Sequence, residues 1–365
     1  MPRKKKLDHI LFFVTFILMG IGLVMVFNSS ALLAIRRYGK YSHFFLQKQS
    51  IYLFLALIAL LIGIKIPYEK WYKLSPALLL LSFIGLLLVF IPGIGCKIGG
   101  ARRWIRLGPL FHIQPSEIAK VALVIYIASF LSRRGDEIND FQAVAPPLVF
   151  VLVLFFSLIV LEPDLGTAVL IIIVALSMLF VANVKMRYLI LPIFVFSICI
   201  ICLIWTSPYR LNRIFCYWDP TKDPLGKGYQ LIQSLISIGS GGIFGNGLGH
   251  VIENGMRVVE PFTDFIFAVI AHEFGFIGSL GIIGLFFIFV FRGLAISLRE
   301  KNAFGLYLAV GLTCLIGYQS LINMAVVCGL LPTKGIPLPF ISFGGSALIV
   351  NAFSVGILLN VSKAQ

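Results

Sequence analysis

Two acidic residues stand in an otherwise apolar segment that has the composition of a membrane helix. The segment reads EPFTDFIFAVIAHEFG, from Glu260 to Gly275, with Asp264 at the predicted helix start and Glu273 well inside. A helix that turns ~100° per residue places Glu273 on the face opposite Asp264, about 13 Å further along the axis. The two carboxylates are therefore not expected to form one catalytic pair. Asp264 is a candidate for acting on a substrate or for capping the helix, and Glu273 is expected to satisfy a buried partner.

A cluster of basic residues lies between two apolar runs. The stretch KIGGARRWIRLGP, residues 97–109, carries Arg102, Arg103 and Arg106 around Trp104 in what the sequence predicts to be a short loop. Arginine recognises phosphate through parallel hydrogen bonds from its planar guanidinium group. Tryptophan is typical of the membrane–water interface. Two interpretations stay open, which are binding of a phosphorylated ligand and anchoring to lipid headgroups.

The stretch HIQPSEIAKVAL predicts the start of another helix. Pro115 is suited to the first helical position, and Gln114 with Glu117 has the spacing of a capping arrangement. Glu117 and Lys120 lie one helical turn apart and can form an ion pair. We expect them to serve structure or coupling, because charged residues inside a membrane need partners.

Two proline-containing motifs interrupt the apolar runs elsewhere. In LEPDLGTA, Glu162 and Asp164 flank a proline between two predicted spans. Asp164 would cap the next helix, or the two acids would bind a hydroxyl-rich ligand or a cation. In GLLPTKGIPLPFISFGGSA, three prolines exclude a regular helix around Lys334 and before Ser342. Irregular backbone at membrane depth is tolerated where it lines a wet cavity, so we interpret this segment as one wall of an outward-facing cavity.

These motifs belong to a strongly hydrophobic chain. Its 365 residues are 59% hydrophobic and only 12% charged, whereas about a quarter of residues are charged in soluble domains. Apolar runs close to the ~20 residues of a membrane helix recur along the whole length, and predict an all-α polytopic membrane protein that forms a single domain, residues 1–365. The formal net charge of +15 fits anionic headgroups better than nucleic acid. The predicted spans are 10–33, 50–66, 74–92, 113–132, 144–161, 165–183, 188–205, 265–291, 304–330 and 338–361.

The number of spans and the basic N-terminus predict the orientation. Ten spans place both termini on one side, and the basic residues from Arg3 to Lys6 mark that side as the cytoplasm. We expect the first span to be retained rather than cleaved. The long loop 206–264 then lies outside, between the seventh and eighth spans, and loops of that length are usually functional or disordered. Its aromatic and aliphatic residues predict that it packs on the membrane surface.

Six motifs in this order, together with ten spans, resemble the SEDS family, which contains the FtsW, RodA and SpoVE proteins of bacterial cell-wall synthesis. The resemblance covers essentially the whole chain and is closest to the FtsW division branch. One departure is Phe262, which stands where the family commonly has histidine. The motifs are GARRWI at 100–105, QPSE at 114–117, EPDLGTA at 162–168, GSGGIFGNGLG at 239–249, TDFIFAVI at 263–270 and LLPTKGIPLPFISFGG at 330–345.

The resemblance implies a glycosyltransferase that polymerises lipid II, a disaccharide-pentapeptide on undecaprenyl pyrophosphate, into β-1,4-linked glycan strands. Asp264 would be the general base. A divalent cation, Mg²⁺ or Mn²⁺, is a candidate cofactor with Glu162 and Asp164 as candidate ligands, although the sequence establishes no ligand set. The residues expected to contact substrate are Arg102, Arg103, Trp104, Arg106, Glu260, Lys334 and Ser342.

The resemblance also implies partners and a location. The partners are a class B penicillin-binding protein, which is a transpeptidase, and other division proteins, and no nucleic acid is expected. The location is the bacterial cytoplasmic (inner) membrane at the division septum. Two alternatives remain at this point, a lipid II flippase and a non-catalytic scaffold that recruits the transpeptidase.

Overall fold

The computed structural model contains twelve α-helices and one three-stranded sheet among the residues that it describes. Those residues are 7–38, 43–98, 100–108, 111–135, 140–224, 226, 228–249, 262–333 and 335–364. The helices are α1 (His9–Tyr38), α2 (Phe44–Lys65), α3 (Tyr68–Leu88), α4 (Pro115–Arg134), α5 (Phe141–Leu161), α6 (Leu165–Val181), α7 (Met186–Trp205), α8 (Pro208–Trp218), α9 (Tyr229–Ser240), α10 (Ile266–Arg299), α11 (Ala303–Val327) and α12 (Gly345–Ala364).

The predicted all-α membrane fold is confirmed. Among the described residues, eight helices are long and apolar enough to cross a membrane, and the apolar stretches Ala145–Leu161 and Leu165–Val181 are shorter. Each of the ten predicted spans overlaps one of these helices. The last span begins at Gly345 and not at residue 338, because Pro337 and Pro339 keep the preceding segment out of helical geometry.

Three helices form the centre of the bundle. Within the most apolar 18 residues of each helix, the share of residues buried in the protein is 78% for α4, 67% for α11 and 78% for α12. The corresponding share for α7 is 11%. Glycines allow α2 to pack closely on α12, since a Cβ atom on Gly63 would lie 2.7 Å from the Phe353 carbonyl oxygen. The central helices are therefore held tightly, whereas α7 lies at the lipid-facing periphery.

The basic stretch between α3 and α4 is an antiparallel sheet and not the short loop that the sequence predicts. Its strands are β1 (Gly95–Ile98), β2 (Ala101–Leu107) and β3 (Phe111–Ile113), in the order β1-β2-β3. Trp104 pairs with Cys96 while Arg102 pairs with Lys97, which leaves Arg103 as an extra residue on β2. Such a bulge re-aims a side chain, and here it separates Arg103 from its neighbours.

The described part of the segment 206–264 packs on the bundle. It contains α8, a 3₁₀ turn at Pro220–Lys222 and α9. The Tyr217 hydroxyl donates to the Leu330 carbonyl oxygen at 3.0 Å, and the Ser234 hydroxyl donates to that of Val327 at 2.7 Å. These bonds dock α8 onto the chain that follows α11 and α9 onto the last residue of α11.

Helix α10 is interrupted by a kink at Gly275, where φ is 66° and ψ is −159°. The loop after α9 satisfies the backbone groups that the kink releases. The amide of Phe276 donates to Gly242 at 2.9 Å, and the amide of Gly247 donates to Glu273 at 3.0 Å. Non-helical backbone at membrane depth needs such internal partners, so this loop fixes the direction of the first half of α10, Ile266–Phe274.

Candidate active site

Asp264 lies in a turn immediately before α10 and does not cap it. The helix begins at Ile266, and its N-cap position is Phe265, which makes no side-chain cap. The interpretation of Asp264 as a helix cap is therefore wrong. The carboxylate is half-buried and faces the segment after α11, since a Cβ atom on Gly335 would lie 3.0 Å from Asp264 Oδ2.

Asn323 of α11 joins the Asp264 turn to the facing segment. Its Nδ2 donates to the Asp264 carbonyl oxygen at 2.7 Å and to the Ile336 carbonyl oxygen at 2.8 Å. The side chain is only 2% exposed. One buried amide therefore connects the two segments that meet at the Asp264 carboxylate, and the sequence analysis assigned it no role.

Ser342 supports the same turn from the other side. Its buried hydroxyl donates to the Thr263 carbonyl oxygen at 2.6 Å and accepts from the Leu338 amide at 2.8 Å. The next residue, Phe343, donates its amide to the Phe262 carbonyl oxygen at 2.8 Å. Ser342 is expected from the sequence to contact substrate, but in the structure its hydroxyl is committed to backbone groups that position Asp264.

A cavity of about 150 Å³ opens beside Gly335. Three arginines from separate places in the chain line it, Arg103 from the β2 bulge and Arg210 and Arg213 from α8. Gly335 lines the cavity and also contacts the Asp264 carboxylate. Asp164 also lines the cavity, so three arginines and one carboxylate form its charged wall, and the excess of positive charge suits an anionic ligand.

The arginines are oriented by neutral oxygens. Arg103 Nε donates to the Glu162 carbonyl oxygen at 2.9 Å, and Arg213 Nη1 donates to that of Thr333 at 3.1 Å. Arg210 Nη1 donates to the Leu203 carbonyl oxygen at 3.0 Å. A guanidinium has five N–H donors. These bonds hold each side chain in place, and its charge remains available to a phosphate group.

Arg210 and Arg213 are site residues that the sequence analysis missed. The stretch YRLNRIFCYW offered one signal, since a spacing of three places both side chains on one face of a helix. The predicted spans include no such helix, because α8 is short and lies in the segment 206–264 that the sequence predicts to be a loop.

The other basic candidates lie elsewhere. Arg102 and Arg106 are exposed on β2, and Trp104 is half-buried beside Cys96. None of the three is among the residues that line the arginine cavity. The predicted grouping of Arg102, Arg103 and Arg106 is therefore wrong for this cavity, which receives only Arg103. Glu260 and Lys334, also expected to contact substrate, lie outside the described residues.

The turn between α5 and α6 holds two carboxyl groups with different environments. Asp164 caps α6, accepting from the Thr167 amide at 3.1 Å and the Thr167 hydroxyl at 2.9 Å. Glu162 is fully buried, and its side-chain oxygens accept no hydrogen bond from the part of the chain that the structure describes. Burial, together with the charge of Asp164, raises the pKa of Glu162 to about 8 against the opposing charge of Arg103.

These two carboxyl groups are the candidate ligands for Mg²⁺ or Mn²⁺. Asp164 already accepts two bonds from Thr167. Within the described ranges, no group of three or more histidine, cysteine, aspartate or glutamate side chains is placed to hold a metal ion. The pair does not make a protein-built metal site.

Glu117 and Lys120 form a buried ion pair at 2.9 Å. Lys120 Nζ also donates to Gln319 Oε1 at 2.8 Å, and Gln319 Nε2 donates to the Pro337 carbonyl oxygen at 3.0 Å. The network thus connects α4 through α11 to the segment that faces Asp264.

Pro115 is the first residue of α4 as expected, but the predicted capping arrangement is wrong. Gln114 occupies the N-cap position of α4 without capping it through its side chain. Its side-chain amide instead donates to the Ser116 hydroxyl at 3.1 Å and to Asp164 Oδ2 at 3.4 Å.

Glu273 is buried in α10 and accepts a hydrogen bond from the side chain of Asn28. It lies inside the bundle, where it connects α10 with α1.

An apolar groove of about 640 Å³ runs along α5 and α7. Its walls include Phe156 of α5 and Val195 of α7, and its end lies at Val160 and Leu203. Arg210 donates to the carbonyl oxygens of those last two residues. The groove therefore ends at a side chain that also lines the arginine cavity, so that an apolar chain and an anionic head would fit end to end.

Comparisons with known proteins find similarity over nearly the whole chain. A family model described as a cell cycle protein of the FtsW/RodA/SpoVE type matches residues 8–365. A probable peptidoglycan glycosyltransferase FtsW of Geobacter sp. (strain M18) is 42% identical, covering 99% of this chain and 98% of its own. The stage V sporulation protein E of Bacillus subtilis (strain 168) is 38% identical, covering 99% and 98%.

A solved structure gives a similar result for the fold. It comes from work on the structural coordination of polymerization and crosslinking by a peptidoglycan synthase complex. The two chains align with a TM-score of 0.79 at 29% identity, covering 98% of each.

Proposed function

This chain belongs to the FtsW/RodA/SpoVE family, and on that premise we propose that it is a peptidoglycan glycosyltransferase that polymerises lipid II into β-1,4-linked glycan strands. The observation that carries the proposal is the position of the Asp264 carboxylate. It lies against Gly335, and Gly335 lines a cavity with three arginines. A base beside a phosphate-binding surface is what transfer from a lipid pyrophosphate requires.

Asp264 acts as the general base. It takes the proton from the 4-hydroxyl of one glucosaminyl unit as that oxygen attacks C1 of the donor muramyl sugar. The bond between O4 and C1 forms while the bond between C1 and the pyrophosphate oxygen breaks, with inversion from the α to the β anomer. General base catalysis contributes typically about 10²–10⁴-fold to a rate.

The three cavity arginines stabilise the leaving group. Negative charge accumulates on the pyrophosphate as C1 departs, and the guanidinium groups of Arg103, Arg210 and Arg213 are already oriented by backbone carbonyls and neighbouring side chains. Donors that are oriented in advance lower the barrier because they need no reorganisation during the reaction. The α5–α7 groove accommodates the polyprenyl chain of this lipid.

The cellular setting follows from the same premise. We place the protein in the bacterial cytoplasmic (inner) membrane with both termini in the cytoplasm and its site on the outer face, at the division septum. Its partners are a class B penicillin-binding protein, which cross-links the new strands, and other division proteins. The similarity to a chain from a peptidoglycan synthase complex supports the first of these partners.

Polymerisation of purified lipid II tests the proposal, with the class B penicillin-binding protein present and absent. Wild type is expected to make long strands and Asp264→Asn to make none. Asp219→Asn, which alters an acid in the 3₁₀ turn of the outer segment, is the matched control and is expected to keep activity. Strand synthesis by Asp264→Asn contradicts the assigned base. Absence of strands from wild type with its partner favours the flippase or scaffold alternatives, which lipid II movement across liposomes then separates.

A further inference from the structure

A second apolar groove, of about 430 Å³, lies on another side of the bundle between α2, α4 and α12. Its walls include Leu55 of α2, Ile118 of α4 and Ile349 of α12. Ile118 is 44% exposed, although most of α4 is buried. The groove is thus the place where this central helix reaches the lipid-facing surface.

The groove is bounded at one end by His112 and by the basic side chains of Arg106 and Lys48. His112 lines it and pairs with Arg106 across the β2–β3 ladder. Lys48 lies one helical turn from Tyr52, another lining residue, and so belongs to the same stripe of α2. Burial and the charges of Arg106 and Lys48 lower the pKa of His112, which is consistent with the convergence of these groups. An apolar trough with a basic end complements a lipid with an anionic head.

The second groove is connected to the Asp264 turn through aromatic contacts. The ring of Tyr52 lies 6.2 Å from that of Phe343, and the ring of Phe343 lies 5.6 Å from that of Phe262, measured between centroids. Phe343 also donates its amide to the Phe262 carbonyl oxygen, and Asp264 follows two residues later. The groove therefore approaches the proposed base from the side of α12, and its lining shares no residue with the α5–α7 groove.

We propose that the α2–α4–α12 groove binds the polyprenyl chain of the second lipid-linked reactant, with its diphosphate at Lys48, Arg106 and His112. The inference rests on the proposed function, because glycan polymerisation joins two sugars that each hang from a lipid diphosphate. One groove serves one lipid. The α2–α4–α12 groove approaches the Asp264 turn through Tyr52 and Phe343, and the α5–α7 groove ends at Arg210, which lines the arginine cavity. Both lipids can therefore stay in the membrane during transfer. Arg106 is exposed and lies outside the arginine cavity, and in this proposal it binds the diphosphate of the second lipid.

Photo-crosslinking tests the site independently of catalysis. Purified Asp264→Asn protein in phosphatidylcholine vesicles is exposed to undecaprenyl diphosphate that carries a diazirine on its chain, and the labelled peptides are identified by mass spectrometry. Labels are expected on α2, α4 or α12 around Ile118 in addition to α5 and α7. Labelling confined to α5 and α7 overturns the proposal.

Variants then link labelling to this groove. Ile118→Trp fills the groove and is expected to remove the label there while leaving that on α5 and α7. Leu81→Trp, at a 65% exposed position of α3, is the matched control and keeps both labels. Lys48→Gln with Arg106→Gln is expected to weaken labelling about tenfold, as loss of charge-assisted bonds to phosphate predicts, whereas Lys97→Gln on β1 leaves it unchanged. Equal labelling of the double variant and wild type overturns the diphosphate assignment.

Competition and turnover distinguish the remaining outcomes. Excess unlabelled undecaprenyl diphosphate is expected to remove the label, whereas phosphatidylglycerol at the same concentration is expected to leave it. If the two lipids compete equally, the groove is a general anionic-lipid site and the proposal is overturned. In lipid II polymerisation, Ile118→Trp is expected to raise KM and Leu81→Trp is not. If labelling is specific but wild-type protein does not polymerise lipid II, the proposed function is rejected and a lipid-diphosphate site remains. If wild type polymerises lipid II and Ile118→Trp leaves polymerisation unchanged, only the role of the groove is rejected.

Discussion

Replacing Asn323 is expected to disable the site with a limited effect on the fold. The side chain makes two buried hydrogen bonds, to the carbonyl oxygens of Asp264 at 2.7 Å and Ile336 at 2.8 Å. A typical bond contributes about 0.5–1.5 kcal/mol, so Asn323→Ala should cost about 1–3 kcal/mol of stability before any relaxation. The larger consequence is geometric, because the two segments that meet at the carboxylate lose their shared anchor.

The magnitude for catalysis follows from the role of the base. Misplacement by about 1 Å can cost about 10²-fold in rate, so we expect kcat for lipid II polymerisation to fall by about 10–100-fold. KM should change less, because the cavity arginines are held by other contacts.

Asn302→Ala provides a matched control at the opposite end of α11. The Asn302 side chain caps this helix by accepting from the Phe304 amide at 3.0 Å, and loss of such a cap costs about 0.5–2 kcal/mol. The two variants should therefore lose similar thermal stability in detergent, while only Asn323→Ala loses kcat. The reasoning is refuted if both variants lose activity in proportion to their loss of folded protein.

Three further predictions concern the surroundings of the base. Gly335→Ala should press a methyl group on the carboxylate, 3.0 Å away, and lower kcat, whereas Gly344→Ala, whose new atom meets its nearest neighbour at 3.8 Å, should leave kcat unchanged; equal kcat values contradict the geometry. Arg213→Gln should raise KM for lipid II about tenfold through loss of a charge-assisted phosphate bond, and an unchanged KM removes Arg213 from the site. Glu162 has a folded pKa of about 8 against an ordinary 4.5, so its protonated form is favoured by folding, and stability present below pH 4.5 is lost as pH rises through 8. Melting temperature should therefore fall over that range in wild type and fall less in Glu162→Gln, and parallel curves contradict the assignment.

The membrane fold was predictable because its signal is local. Apolar runs of about 20 residues determine the spans without reference to tertiary contacts, and Pro115 marks the start of α4 through its own backbone chemistry. The start of α10 was harder to predict. It lies at Ile266 and not at Asp264 because the carbonyl groups of Thr263 and Asp264 are held by Ser342 and Asn323.

The site was only partly predictable because its members come from distant parts of the chain. The proposed base could be identified as an isolated carboxylate in an apolar segment. The separation of Arg103 from Arg102 depends on the β2 bulge, which is a property of strand pairing. Arg210 lies near Arg103 only because α8 packs over the end of the α5–α7 groove. The spacing of residues in the sequence does not indicate this packing.

Single-turnover glycan transfer by Asp264→Asn is the most direct test of the proposed base. Enzyme in excess over radiolabelled lipid II isolates the chemical step, and lipid II binding is measured on the same preparations. The account predicts unchanged binding and a transfer rate that is lower by at least about 10²-fold, the minimum that removal of a general base normally causes. A rate within about threefold of wild type, at equal binding, is far below that contribution and would show that Asp264 is not the base.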